Sequence, residues 1–284
     1  MLKKNLVTTG LFIPVLLLLF PIVTAMKGEP KNLEEKPLYI NWLKAETPGF
    51  LSSTQEYYAS APRISLNKNA SKFVKSFLVR EDEALDKTKR RSASYFKMID
   101  GIFLKYGLPV ELRYLAVVES DLKTNAVSRV GARGMWQFMP QTARDLGLKI
   151  TSKYDERTNA YRSTVAAAKY LKDLYTQFDN WLLVIAAYNS GPGPVFSAIK
   201  KSGSKNFWAL QHYLPEESRA HVKRFIGTHY YFEGNGSLVT MTKTETTKYL
   251  KEMEAFKDLI QTKEMKKDSA VTVFNNAEII AVSK

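Results

Sequence analysis

The sequence predicts a mainly α fold, and three observations carry that prediction. Apolar residues recur at steps of three and four along most of the stretch from about Leu66 to Tyr231, which is the spacing of one helix face. Trp181 to Tyr188 is apolar all round, so that helix must be buried on every side. Glycines and prolines fall between these stretches, at Gly107-Leu-Pro109, Pro140, Gly147 and Gly191-Pro-Gly-Pro194.

Taken in order, residues 1–25 predict a secretory signal peptide: Lys3 and Lys4, an apolar run from Leu11 to Val23, then the small-residue site Val23-Thr24-Ala25. The alternative is an uncleaved anchor. The run is shorter than the ~20 residues a spanning helix needs, and Pro14 and Pro21 interrupt it. Residues 26–65 are polar, with Pro30, Pro37, Pro48 and Pro62, and predict a linker. Residues 66–106 form an N-terminal helical extension with two apolar stripes. One is Phe73, Val74, Phe77 and Leu78; the other is Tyr95, Met98, Ile99, Ile102 and Phe103. Residues 107–236 form the main domain. Pro109 suits the first turn of its first helix, and Pro140 opens a short helix that Gly147 closes. Ser163 or Thr164 caps a helix whose inner face is Ala168, Leu171, Leu174, Tyr175 and Phe178, and a further helix covers Arg219 to Tyr231. Residues 237–284 read as a small C-terminal α/β appendage: an amphipathic helix over 246–262, then a strand or two in the β-branched stretch Ala270–Val282.

With 45% hydrophobic and 12% aromatic residues, 284 residues suffice for one good-sized core. The absence of cysteine excludes disulfides, thiolate metal sites and an acylated cysteine. The formal charge is +14; without Lys3 and Lys4, 40 basic residues face 28 acidic ones, or +12. Such a surface favours polyanions. For an exported chain these are cell-wall polymers and anionic membrane head groups, and the signal peptide argues against nucleic acid. The densest basic cluster, Lys87-Thr-Lys-Arg-Arg91, reads as a solvated helix face. His212, His221 and His229 lack the i, i+4 spacing of a zinc pair and predict surface or packing roles; no metal or cofactor is expected. There is no phosphate loop and no Gly-x-Ser-x-Gly elbow.

One residue breaks its helical pattern. Leu108, Leu112, Leu115, Glu119 and Leu122 follow one another at helical steps, and only Glu119 is polar. A carboxylate in such a stripe loses hydration, which raises its pKa toward neutrality. An acid that keeps its proton near pH 7 can serve as a general acid at a glycosidic bond. The competing reading is a structural glutamate paired with Lys or Arg.

Three motifs follow in order: Glu119-Ser120; Gly134-Met-Trp136-Gln137; and Ala186-Ala-Tyr188-Asn189-Ser-Gly191. Together they resemble the catalytic domain of soluble-type lytic transglycosylases of the goose-lysozyme superfamily. Gly107-Leu-Pro-Val-Glu-Leu, Trp136-Gln-Phe-Met-Pro-Gln-Thr-Ala and Asp155-Glu-Arg157 resemble the branch of membrane-bound lytic murein transglycosylase D. The resemblance spans roughly residues 95–235. It implies a lysozyme-like domain with a small β element near Gly131–Gln137, acting as a monomeric enzyme on peptidoglycan glycan strands in the periplasm of a Gram-negative bacterium, with membrane or wall association. It also implies that Glu119 is the catalytic residue, first protonating the bond between N-acetylmuramic acid and N-acetylglucosamine and then deprotonating the C6 hydroxyl that closes a 1,6-anhydro ring. Ser120, Gly134, Trp136, Gln137, Tyr188 and Asn189 are implied in substrate binding, with Tyr188 positioning Glu119. Residues alone leave other roles open: Ser120 bonded to its own helix, Trp136 and Tyr188 as core aromatics, Asn189 as a helix cap. Asp155 and Glu156 qualify as a second carboxylate only if the fold returns them to the cleft. A goose-type muramidase and an inactive wall-binding protein are the rival functions.

Overall fold

The computed structural model describes the backbone of residues 61–282 and the side chains of residues 61–262. The expected signal peptide and residues 26–60 of the expected linker lie outside the described residues. Helix α1 (Lys68–Tyr106) unites both apolar stripes of the extension in 39 residues. The Asn67 side chain caps its start, and Gly107 ends it in the left-handed conformation (φ 69°). Val74, Phe77, Ile99, Ile102 and Phe103 are buried in the common core, so the extension packs on the main domain along its length. Its Phe77 ring packs so tightly on Gly227 that an added Cβ there would lie 2.5 Å from it.

A 3₁₀ turn (Val110–Arg113) leads into α2 (Tyr114–Ser120). Next comes a loop with isolated antiparallel bridges, Val127 with Arg133 and Arg133 with Phe138, where the small β element was expected. The short helix α3 (Pro140–Asp145) opens on its proline as expected. Helix α4 (Ala160–Phe178) is capped by Asn159 rather than by Ser163 or Thr164. Those two hydroxyls bond back to the carbonyls of Asn159 and Ala160, as serine and threonine do inside a helix. Helix α5 (Trp181–Ser190) buries Leu182 to Ala187 completely and packs against α4, α6 (Pro192–Ser202) and α8 (Glu216–Glu233). It is the central helix that its all-apolar sequence required. The short α7 (Phe207–Leu210) joins α6 to α8.

The C-terminal region corrects the sequence reading. Instead of an α/β appendage, a single helix α9 runs from Lys243 to Val282, taking in the stretch read as strands. Glycine and proline are absent from it, and an established helix propagates at little cost per residue. The β preference of Val271, Thr272 and Val273 counts only when a partner strand pairs with them. Among the described residues no helix is long and apolar enough to cross a membrane.

Candidate active site

Glu119 lies in the last turn of α2. The helix ends because Asp121 and Leu122 adopt left-handed backbone (φ 52° and 64°) and return their N–H groups to Val117 and Ala116. Leu108, Leu112, Leu115 and Leu122 of the same stripe are buried, while the Glu119 side chain keeps 15% exposure. The carboxyl is thus desolvated yet not sealed off. Burial pushes its pKa up to about 8, the Arg224 charge opposes that, and the Glu217 charge adds to it.

His221 on α8 approaches it, with Nε2 3.5 Å from Glu119 Oε1. This contact is no ion pair. Burial, with help from the Arg224 charge, pushes the His221 pKa down to about 3. At neutral pH a neutral acid therefore faces a neutral imidazole. Among the described residues no lysine or arginine forms an ion pair with Glu119, and Arg224 acts on it only through its charge.

The other residues singled out by sequence divide in two. Asn189 and Gln137 each keep a free polar atom. Asn189 Oδ1 accepts a hydrogen bond from the buried Ser218 hydroxyl (2.9 Å), leaving its NH₂ unengaged. Gln137 donates to the Gly134 carbonyl (2.8 Å), which leaves its own amide oxygen as an acceptor. Its backbone is left-handed (φ 49°), a conformation uncommon outside glycine.

Four residues expected to bind substrate make contacts within the protein. Trp136 is fully buried: its indole donates to Thr164 (3.0 Å) and packs on Phe103, so the ring cannot stack on a sugar. Ser120 donates to the Met135 carbonyl (2.8 Å), tying α2 to the loop beneath it. Gly134 is required by space, because a Cβ there would sit 1.8 Å from the Arg157 carbonyl oxygen, at φ 82°. Tyr188 donates to the Trp136 carbonyl (2.8 Å) rather than to Glu119; it holds the loop, and it senses Glu119 only through charge. In each case the motif is a hydrogen-bonded unit, and sequence cannot tell which members turn inward.

Asp155 and Glu156 are both engaged elsewhere. Asp155 pairs with Arg157 (2.7 Å) and Arg133 (3.5 Å), and the Arg157 hydrogen bond holds its carboxyl below the usual range. Arg157 also donates to the Gly131 and Phe138 carbonyls, so the Asp-Glu-Arg string braces the bridged loop. Glu156 is buried and accepts from the Lys149 backbone N–H (2.8 Å) while pairing with Arg162 (3.0 Å). Sequence reasoning did not single out Ser218 and read His221 only as a surface or packing residue, yet the structure places both beside predicted site residues. The signal was there: with Phe225 they form a stripe on α8 at steps of three and four, buried throughout, and a polar residue in such a stripe is what marked Glu119. Of the other histidines, His212 is exposed and His229 is buried against Tyr114, with Ser237 at 2.8 Å.

The chain is similar to several known proteins. Residues 103–211 match the family model described as Transglycosylase SLT domain. Membrane-bound lytic murein transglycosylase D of Escherichia coli (strain K12) is 40% identical over 141 residues, covering 48% of this chain and 31% of that protein. A putative tributyltin chloride resistance protein of Alteromonas sp. (strain M-1) is 37% identical over 102 residues, covering 36% of this chain and 49% of the relative. The chain thus spans less than a third of the length of transglycosylase D. Among solved structures, the 70 kDa soluble lytic transglycosylase of Escherichia coli matches with a TM-score of 0.44 and 26% identity over 51% of this chain and 26% of that one. Residues 103–211 form a transglycosylase SLT domain, homologous to the one in membrane-bound lytic murein transglycosylase D.

Proposed function

We propose that this domain cleaves the β-1,4 bond between N-acetylmuramic acid and N-acetylglucosamine in peptidoglycan without water, leaving 1,6-anhydromuramic ends. The observation that carries this reading is Glu119, an acid that keeps its proton near neutral pH inside a transglycosylase SLT domain. The Glu119 proton goes to the glycosidic oxygen as the bond to the muramic anomeric carbon breaks. The resulting carboxylate then takes the proton of the muramic C6 hydroxyl, whose oxygen bonds to that carbon. Glu119 ends as it began, protonated.

Glycosidases that use two enzyme carboxylates need the second one free beside the bond. Asp155 and Glu156 are ion-paired, which supports a route where the sugar's own acetamide steadies the positive anomeric centre. The unengaged Asn189 NH₂ and the Gln137 amide oxygen supply a donor and an acceptor suited to acetamido groups and sugar hydroxyls. Export to the periplasm and attraction to anionic wall or membrane surfaces accompany this reading, supported by the N-terminal sequence pattern and the net positive charge. Digestion of sacculi by the purified protein, followed by mass spectrometry, tests it. Anhydromuramic ends are expected. Reducing muramic ends would make it a hydrolase, and binding without turnover an inactive wall-binding protein.

A further inference from the structure

Helix α8 brings a second buried polar group to Glu119. His221 Nε2 is 3.5 Å from Glu119 Oε1 and has no hydrogen-bond partner in this state. The ring is 2% exposed, on the part of α8 that packs against α2 and α5, so it cannot turn out to water. Buried nitrogens are nearly always satisfied, and an orphan one needs a reason. We propose that His221 is a positioning residue for Glu119: its Nε2–H holds Oε1, leaves the transferable proton on Oε2, and tightens onto the carboxylate formed once that proton has gone. The inference rests on the reading of Glu119 as acid and then base.

Three observations support this role over simple packing. A hydrogen bond to a charged acceptor is shorter and stronger than one to a neutral acceptor, so a 3.5 Å approach to the acid has room to contract when the carboxylate appears. Beside the protonated acid the ring is neutral, because burial and the Arg224 charge both oppose its protonation, so it enters the cycle as a hydrogen-bond donor and not a competing acid. The same face of α8 reaches a second residue singled out by sequence: Ser218, one turn earlier, donates to Asn189 Oδ1 and leaves the Asn189 NH₂ unengaged. One helix would thus orient both the acid and a substrate-binding amide. The charged or titratable groups acting on this pair are Arg224 and Glu217 from α8 and Tyr188 from α5.

The test compares His221→Phe, which keeps the ring and removes the donor, with His221→Gln, which restores an N–H. Glu119 is titrated by carbon-13 NMR of its side-chain carboxyl, and glycan cleavage is followed over pH on the same samples. In His221→Phe the pKa of Glu119 should rise by about one unit and kcat should fall about tenfold, since one unit corresponds to a factor of ten, while KM stays near its wild-type value. His221→Gln should recover part of both. An unchanged Glu119 titration and kcat in a folded His221→Phe protein would overturn the proposal. So would equal losses of melting temperature and activity in both variants with the titration unmoved, which would make His221 a packing residue. If the wild-type protein cleaves no glycan, the functional reading fails by itself, and the titration still decides whether His221 holds Glu119.

Discussion

The two ends of the α2–α8 contact bury ionisable groups in opposite ways. At the start of α2, Arg113 lies within 2.6 Å of Asp100 and 3.1 Å of Glu233, and Tyr114 also donates to Glu233. The guanidinium stacks over Phe96, 4.7 Å from the ring centre. Here both carboxylates meet the arginine, and the cluster joins α1, α2 and α8. Six residues further along α2, Glu119 meets no cation, only the neutral imidazole of His221. Buried charge that is matched serves architecture; a buried acid left unmatched keeps its proton and remains available for chemistry.

The largest expected effect breaks the unmatched end. Glu119→Gln keeps the shape and removes the proton, so cleavage should fall at least 10²–10⁴-fold, the range of general acid–base catalysis. Melting temperature at pH 7 should hold or rise, because the glutamine folds without the proton uptake that the wild-type carboxylate, ionised in the unfolded chain, requires. A folded, active variant would remove Glu119 from the mechanism. At the matched end the pattern should invert. Arg113→Met leaves Asp100 and Glu233 without their cation and should cost about 3–5 kcal/mol in denaturant unfolding, with kcat per folded molecule little changed.

The dependence of stability on pH sharpens the same contrast. Glu119 binds its proton more tightly folded (about 8) than unfolded (4.5), so its contribution is fully present below pH 4.5 and is lost as pH rises through 8. His221 and His229 are pushed down to about 3, so their contribution is lost as pH falls from 6.5 toward 3. Between pH 6.5 and 8 the glutamate acts without the histidines. Wild-type protein should lose stability there relative to Glu119→Gln, at no more than about 1.4 kcal/mol per pH unit. Parallel unfolding curves across that window would mean that Glu119 is not desolvated. Cleavage by wild type should also decline above about pH 8, as the acid ionises.

The smallest effect belongs to charges that are neither buried nor matched. The chain carries +14, so retention on sacculi should weaken between low salt and 1 M, where screening acts over about 3 Å. Retention that ignores salt would point to a specific contact outside the cleft instead.

Sequence by itself determined the helices and their punctuation. Glu119 was legible because one polar residue in a leucine stripe is visible without knowing what covers it. Helix α5 was legible because an all-apolar segment has only one place to go. The turns at Gly107 and Gly191 follow from backbone freedom, which is local. What only the tertiary structure decided is what each polar group meets. Trp136, Ser120 and Tyr188 turn inward because their partners, Thr164, Met135 and the Trp136 carbonyl, lie 15 to 52 residues away in sequence. His221 reaches Glu119 across about a hundred residues of chain, and no spacing rule joins residues on helices that meet only after folding. The stretch 270–282 shows the same limit from the other side, since β preference asks for a neighbouring strand and none lies there among the described residues. Periodicity and backbone sterics act over a few residues and can be read from sequence; desolvation and hydrogen-bond partnership depend on the assembled neighbours.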